Sequence, residues 1–210
     1  MTGSAAQTMK TRQIVRSGCL IGLVLAFATF LHWYGGRGPA LTAAEGKAFL
    51  DQVRMSSAGV DHPEVVAAAA SLIAHDDGRE FYMVNFEQLR TGPEAVKQDR
   101  TYARAVLPAL LQHGSMPVYV GRIEGLLLGR NESDFGRVAV VRYRSLRDFL
   151  VIFTDPSMQS GVDHKFASVA YTEARATSPI LSLLAIRVTA ACLFGLAALS
   201  VWICTRARGA

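Results

Sequence analysis

The chain has 210 residues, of which 50% are hydrophobic, and it carries a formal net charge of +5. This length fits one domain of about 100–150 residues with flanking segments. Residues 38–179 contain 15 basic residues and all 17 acidic ones, so the positive charge belongs to the chain ends. Electrostatic binding to nucleic acid requires that charge on the folded domain, and we therefore exclude nucleic acid as a partner.

The first apolar segment, residues 17–34, contains no acidic or basic side chain except His32. A helix of this length spans roughly 27 Å, close to the hydrocarbon thickness of a bilayer. Trp33 and Tyr34 close the segment, where aromatic rings favour the membrane interface. Three basic residues precede it, namely Lys10, Arg12 and Arg16. We predict a transmembrane helix here, with a cleaved signal peptide as the alternative.

The second apolar segment, residues 180–204, is interrupted only by Arg187, which lies near its start and can reach the interface. Two basic residues follow the segment, Arg206 and Arg208. Basic flanks favour the cytoplasmic side, so residues 1–16 and 205–210 are both predicted to be cytoplasmic. We predict a protein of the cytoplasmic (inner) membrane with two spans, the lipid bilayer as a partner, and residues 38–178 outside the cytoplasm. A buried amphipathic helix is the alternative for the second segment.

Residues 35–78 form a predicted helical linker region, either a spacer or a lid. Thr42, with Glu45 three residues later, matches a helix-capping box. Asp61 is the predicted N-cap of a second helix that has Pro63 in its first turn.

Residues 79–178 follow the order β-α-β-β-α-β. The predicted strands are residues 80–89, 115–125, 136–145 and 167–176, and the predicted helices are residues 93–114, a helix capped by Ser145 that ends at Asp155, and a short helical turn at 157–168. The order predicts an α+β, ferredoxin-like domain with four antiparallel strands and both helices on one face. The strands are apolar on both sides, so the open face is predicted to pair with a second copy and form a homodimer.

Four segments, FYMVNFEQL, YARAVLPALLQHG, VAVVRYRSLRDFLVIFTDPSMQS and DHKFASVAYTEARATSP, resemble the DUF1330 domain family over residues 80–179. The most specific part is Ser-x-x-x-Phe-Leu followed by Thr-Asp-Pro-x-x-Gln, which covers residues 145–159. The resemblance implies a dimeric α+β barrel with no established reaction. Related families include cofactor-free monooxygenases, lactone isomerases and haem enzymes, which hold their ligands in the barrel.

Four residues are candidate ligand-binding residues: Asn85, Arg122, Arg142 and His164. The first three lie on predicted strands beside apolar neighbours. If those strand faces line a barrel, their side chains form a pocket for a carboxylate or an enolate, since arginine suits planar anions. The alternative is that Arg122 and Arg142 lie at strand ends and reach solvent. His164 is either an acid or base beside Asp163, or a surface histidine at a helix end.

The five histidines and three cysteines show no metal-ligand spacing, so we expect neither a metal nor a cofactor. The sequence therefore predicts a membrane-anchored binding or structural module with a small apolar ligand. The alternative is a cofactor-free enzyme that acts on a small aromatic or carbonyl compound.

The predicted orientation can be measured with reporter fusions to the full chain. We expect alkaline phosphatase inserted between residues 38 and 178 to be active, because it folds only outside the cytoplasm. A green fluorescent protein at either terminus is expected to fluoresce. A cytoplasmic signal from the middle insertion would contradict the two-span orientation.

Overall fold

The structure, a computed structural model, describes residues 3–35, 38–129, 134–180 and 184–207. Arg208, one of the basic residues on which the predicted orientation rests, lies outside these ranges. The chain divides into two compact units. One unit contains Met1–Gly35 and Ile180–Ala210, and the other contains Gly36–Pro179.

Twelve elements are present in the described part of the chain. In order they are α1 (Gly3–Tyr34), α2 (Ala43–Met55), α3 (Ser57–Asp61), α4 (Pro63–Ala74), β1 (Phe81–Leu89), α5 (Pro93–Gln112), β2 (Met116–Arg122), β3 (Arg137–Tyr143), α6 (Leu146–Thr154), α7 (Pro156–Ser168), β4 (Val169–Thr177) and α8 (Leu184–Ala207).

The first unit contains two helices that are long and apolar enough to cross a membrane. The qualifying stretches are Gln13–Tyr34 of α1 and Ile186–Cys204 of α8. Helix α1 begins earlier than the predicted start at residue 17, because the preceding residues include good helix formers such as alanine, methionine and lysine.

Aromatic contacts join α1 to α8. The guanidinium carbon of Arg16 lies 5.6 Å from the centroid of the Trp202 ring, and that of Arg187 lies 5.5 Å from the Tyr34 ring. Such cation–π contacts contribute about 0.5–1 kcal/mol at exposed sites. Arg16, early in α1, contacts Trp202 near the end of α8, whereas Tyr34 at the end of α1 contacts Arg187 near the start of α8. The two helices therefore run antiparallel.

The capping box at α2 is confirmed. The backbone N–H of Thr42 donates to Glu45 Oε2 at 2.8 Å, and the N–H of Glu45 donates to Thr42 Oγ1 at 3.3 Å. The predicted N-cap at Asp61 is wrong, because Asp61 is the last residue of the short helix α3. His62 occupies the N-cap position of α4, and Pro63 follows it where a missing N–H costs little.

The four strands form one sheet in the order β2-β3-β1-β4, and all neighbouring strands are antiparallel. Helix α5 connects β1 to β2, and α6 with α7 connects β3 to β4. This is the ferredoxin-like β-α-β-β-α-β arrangement, so the predicted α+β fold is confirmed. The predicted short turn at residues 157–168 is instead the 13-residue helix α7.

One face of the sheet is covered by helices. Phe81 and Tyr143 pair across β1 and β3, and the ring of Phe149 on α6 meets both edge-on, with centroid distances of 5.7 and 4.9 Å. Side chains alternate along a strand, so Met83 and Asn85 share this helix-covered face. Residues of the opposite parity form the open face, as at Val84 and Val140.

The segment with the family resemblance builds α6, α7 and their junction. Ser145 caps α6 by accepting a backbone N–H, and Asp155 does the same for α7. Leu150 is fully buried, and burial of one leucine side chain stabilises the fold by about 1.5–3 kcal/mol. The amide of Gln159 donates to the carbonyl oxygen of Phe153 and so closes the junction. The pattern therefore encodes capping and packing.

The attachment of α2 to α6 depends on pH through the carboxylate of Glu45. Arg147 of α6 donates to its carboxylate at 2.6 and 3.0 Å, and the capping bonds of Thr42 add to this contact. Arg147 first, and then Thr42, lower the pKa of Glu45 from 4.5 to about 2. A depressed carboxylate pKa contributes stability that is complete above the unfolded value and is lost as pH falls through the folded value.

We therefore expect Glu45→Gln to weaken the amide-exchange protection of α2 at neutral pH. The difference from the wild type should shrink as pH falls from 4.5 to about 2. Glu124→Gln, at an exposed position after β2, is the matched control. A difference that stays constant over this pH range would contradict the assignment.

Candidate functional site

A cavity of about 1100 Å³ lies between the helices and the helix-covered face of the sheet. Its sheet-side lining includes Met83, Asn85, Glu87, Arg137, Ala139, Val141, Tyr143, Thr172, Ala174 and Ala176. Ligand pockets in proteins have volumes of roughly 300–1,000 Å³, so this cavity has room for a small molecule.

The helix-side lining is mainly apolar. It includes Val53, Ala69, Leu72, Val106, Leu110, Phe149, Leu150, Phe153, Met158 and Val162. Burial raises the pKa of the Tyr143 phenol well above its usual value, so this group remains neutral at physiological pH. Most of the cavity surface therefore favours an uncharged, apolar guest.

Three charged side chains form a network at one end of the cavity. This end is called the polar end below. Arg137 on β3 donates to Glu87 on β1 at 2.5 Å and, through two nitrogens, to Asp99 on α5 at 2.7 and 2.9 Å. Asp99 is the main cause, with Glu87, of a raised pKa for Arg137, so its positive charge persists at all ordinary pH values. The network joins both central strands to the helix layer.

Lys165 on α7 brings an ammonium group to this polar end. Its Nζ lies 3.8 Å from Glu87 Oε1, 3.5 Å from Asn85 Oδ1 and 5.7 Å from the centroid of the Tyr102 ring. Hydrogen bonds between nitrogen and oxygen usually measure about 2.7–3.2 Å, so these longer contacts hold the ammonium group loosely. Only 18% of the lysine side chain is exposed, which makes its charge part of the cavity.

Thr172 on β4 adds a hydroxyl group beside Glu87, its cross-strand partner. Thr172 Oγ1 is buried and has no hydrogen-bond partner within the described parts of the chain. A buried hydroxyl without a partner costs about 1–3 kcal/mol, so a bound oxygen atom would find an unmet donor here.

The cavity opens at the two edges of the sheet. Val120 on β2 and Ala174 on β4 both line it, yet both are exposed. They share the helix-covered face with Ala139 and Asn85, their cross-strand partners. Their exposure means that the helices cover the central strands and leave the edge strands accessible to solvent.

The structure places two of the four candidate ligand-binding residues, Asn85 and Arg142, on opposite faces of the sheet. Asn85 lines the cavity, where its amide donates to the carbonyl oxygens of Ala139 at 3.2 Å and Met83 at 3.3 Å. Arg142 lies on the opposite face, where it is fully buried and binds Glu80 at 2.6 and 2.9 Å. Strand alternation therefore prevents these two side chains from forming one pocket.

The other two candidates lie outside the polar cluster. Arg122 is exposed at the end of β2, in agreement with the alternative that its side chain reaches solvent. His164 Nδ1 contacts Gln98 Oε1 and joins α7 to α5. Any ligand role for the four candidates stays a prediction. Within the residues that the structure describes, no group of three or more His, Cys, Asp or Glu residues is positioned to hold a metal.

The residues predicted from the sequence did not include Glu87, Lys165 or Thr172. Glu87 had a signal, because an acidic residue two positions after Asn85 must share its face. Lys165 follows His164 directly, but adjacent helix residues point in different directions, so their proximity gave no signal. The Arg137–Asp99 pair spans 38 positions and depends on tertiary packing.

No protein-family model and no curated protein matches the chain. A protein of unknown function from Rhodopseudomonas palustris is 23% identical, with a TM-score of 0.50, over 55% of this chain and 94% of its own. SnoaB, a cofactor-independent oxygenase from Streptomyces nogalater, is 14% identical over 50% of this chain and 96% of its own, with a TM-score of 0.36.

A dimeric ferredoxin-like protein of unknown function from Thermobifida fusca is 15% identical over 50% of this chain and 95% of its own, with a TM-score of 0.36. At 23% identity, the likeness to the Rhodopseudomonas palustris protein shows a shared fold over about half of the chain. The predicted DUF1330 membership has no matching family model and stays a prediction.

Proposed function

We propose that this chain is a membrane-anchored binding module whose α+β domain holds a small, mainly apolar molecule between its helices and its sheet. The observation that carries the proposal is the cavity of about 1100 Å³, with its mainly apolar helix side and the charged cluster of Glu87, Asp99, Arg137 and Lys165. Sites for small molecules combine apolar walls with a few polar groups that fix orientation. The guest would occupy the space beneath the helices rather than a barrel on the open sheet face.

Three finer features belong to the same proposal. Both termini are cytoplasmic, and the α+β domain lies on the extracytoplasmic side of the inner membrane, as the basic flanks predict. The domain belongs to the DUF1330 family, which the motif at residues 145–159 supports. Two copies associate through the open face, where Val84, Val138 and Val140 offer apolar side chains.

A cofactor-free enzyme is the second candidate function. Glu87 and Lys165 favour it, because a carboxylate and an ammonium group line the same mainly apolar cavity. Paired groups of this kind can transfer protons to and from a bound carbonyl or aromatic compound. Turnover of such a compound by the wild type, and its loss in Glu87→Gln, would separate this function from simple binding.

Cavity binding can be tested with a substitution that fills the cavity. Ala139 on β3 faces the cavity, so Ala139→Phe is expected to lower the affinity for a neutral probe, 6-phenylhexanol, on the order of tenfold or more. Equilibrium dialysis of the full chain in lipid nanodiscs, with empty nanodiscs as the blank, measures this affinity.

Val140→Phe is the matched control, because the next residue of β3 faces the opposite side of the sheet. It is expected to bind the probe as the wild type does. Absence of wild-type binding above the blank, or equal affinities for both variants, would contradict the proposal.

Association through the open face can be tested by sedimentation of the full chain in detergent. We expect the wild type to be a dimer and Val140→Asp to be a monomer, because a buried carboxylate without a partner is costly. Val151→Asp on α6, at a residue that is 36% exposed, should remain a dimer. A dimer that persists in Val140→Asp would rule out this interface.

A further inference from the structure

The polar end of the cavity contains one group without a hydrogen-bond partner among the described residues and one ammonium group with only long polar contacts. Thr172 Oγ1 is buried without a partner. Lys165 Nζ lies 3.5 Å from Asn85 Oδ1 and 3.8 Å from Glu87 Oε1, and both distances are long for a polar contact. Both groups lie around Glu87, since Thr172 is its cross-strand partner. Both donors therefore lie at the polar end of the cavity, beside Glu87.

Glu87 cannot fully neutralise Lys165, because Arg137 binds it more closely. The Arg137–Glu87 distance is 2.5 Å, whereas the Lys165–Glu87 distance is 3.8 Å. Asp99 is bound by Arg137 through two nitrogens. Lys165 is therefore the cation of this cluster with the weakest ion pair, and a ligand anion can approach it without displacing Arg137.

We propose that the cavity binds a monocarboxylic acid with an apolar body, and that Lys165 and the Thr172 hydroxyl together hold its carboxylate. This inference rests on the proposed binding function and specifies the chemical class of the ligand. Hydrogen bonds between an ammonium group and a carboxylate are among the stronger ones in proteins. The carboxylates of Glu87 and Asp99 lie close by and repel each negative charge on a head group, so a head group with one charge is favoured over one with two.

The arrangement of the cavity along β1 fits such a molecule. Glu87 marks the polar end, and Met83, four residues earlier on the same face, lies towards the apolar end. Four strand residues span roughly 13–14 Å. Beyond Met83 the rings of Tyr143 and Phe149 line the wall. An acid with a chain or ring of this length places its carboxylate at Lys165 and its apolar end against aromatic side chains.

The test compares 6-phenylhexanoate with 6-phenylhexanol, which differ only in the head group. Equilibrium dialysis of the full chain in nanodiscs made of neutral lipid measures both affinities, with empty nanodiscs as the blank. We expect the wild type to prefer the acid by about tenfold. Lys165→Met should remove this preference and leave the affinity for the alcohol unchanged.

Two further variants complete the comparison. Thr172→Val keeps the shape of the side chain and should weaken acid binding by about threefold to tenfold. Lys97→Met removes an exposed lysine on α5, with a side chain 73% exposed, and should bind both probes as the wild type does.

The outcomes separate the inference from the proposed function. Equal wild-type affinities for acid and alcohol, or an acid preference that persists in Lys165→Met, overturn the inference and leave cavity binding intact. If neither probe binds to the wild type, the proposed function fails and the inference fails with it. If Lys165→Met loses both probes, Thr172→Val decides, and an unchanged acid preference in that variant overturns the inference.

Discussion

The contact of Arg137 with two carboxylates is the interaction on which the cavity depends. From β3 it binds Glu87 on the neighbouring strand and Asp99 on α5, so one guanidinium group links the sheet to the helix layer. Removing one partner of a buried ion pair costs about 3–5 kcal/mol, and the Glu87 side chain is only 4% exposed. An ionic link between layers fixes their spacing without filling the space beside it. The hollow beside this link is where Lys165 and Thr172 present their donors.

The fold could be predicted because its signals are local. Period-two alternation marked the strands, and caps such as Thr42 and Ser145 marked helix starts, since each depends on residues within one turn. The error at Asp61 shows the limit of this reasoning. Ser56 begins the extra helix α3 by accepting the N–H of Gly59, which turns an expected N-cap into a helix end. Competing capping residues a few positions apart are not ranked by sequence alone.

The site could be predicted only in part, because ion-pair partners are chosen by packing. Alternation placed Asn85 correctly beside Met83, yet it gave no means of knowing which face the helices cover. Arg142 has Glu80 as its partner across 62 positions, and that pairing makes it a buried structural residue of the other face. In the sequence, nothing distinguishes Lys165 from an exposed lysine. Its position becomes informative only when α7 lies over β1.

Helices α2 and α4 were expected to be a linker or lid, and they share the hydrophobic core of the α+β domain. Val53 on α2 is fully buried, and Ala69 on α4 belongs with it to the cluster that contains Leu150. Both also line the cavity. Core packing and cavity wall therefore share the same side chains. A substitution that loosens Val53 or Ala69 would change the stability of the domain and the shape of its cavity together.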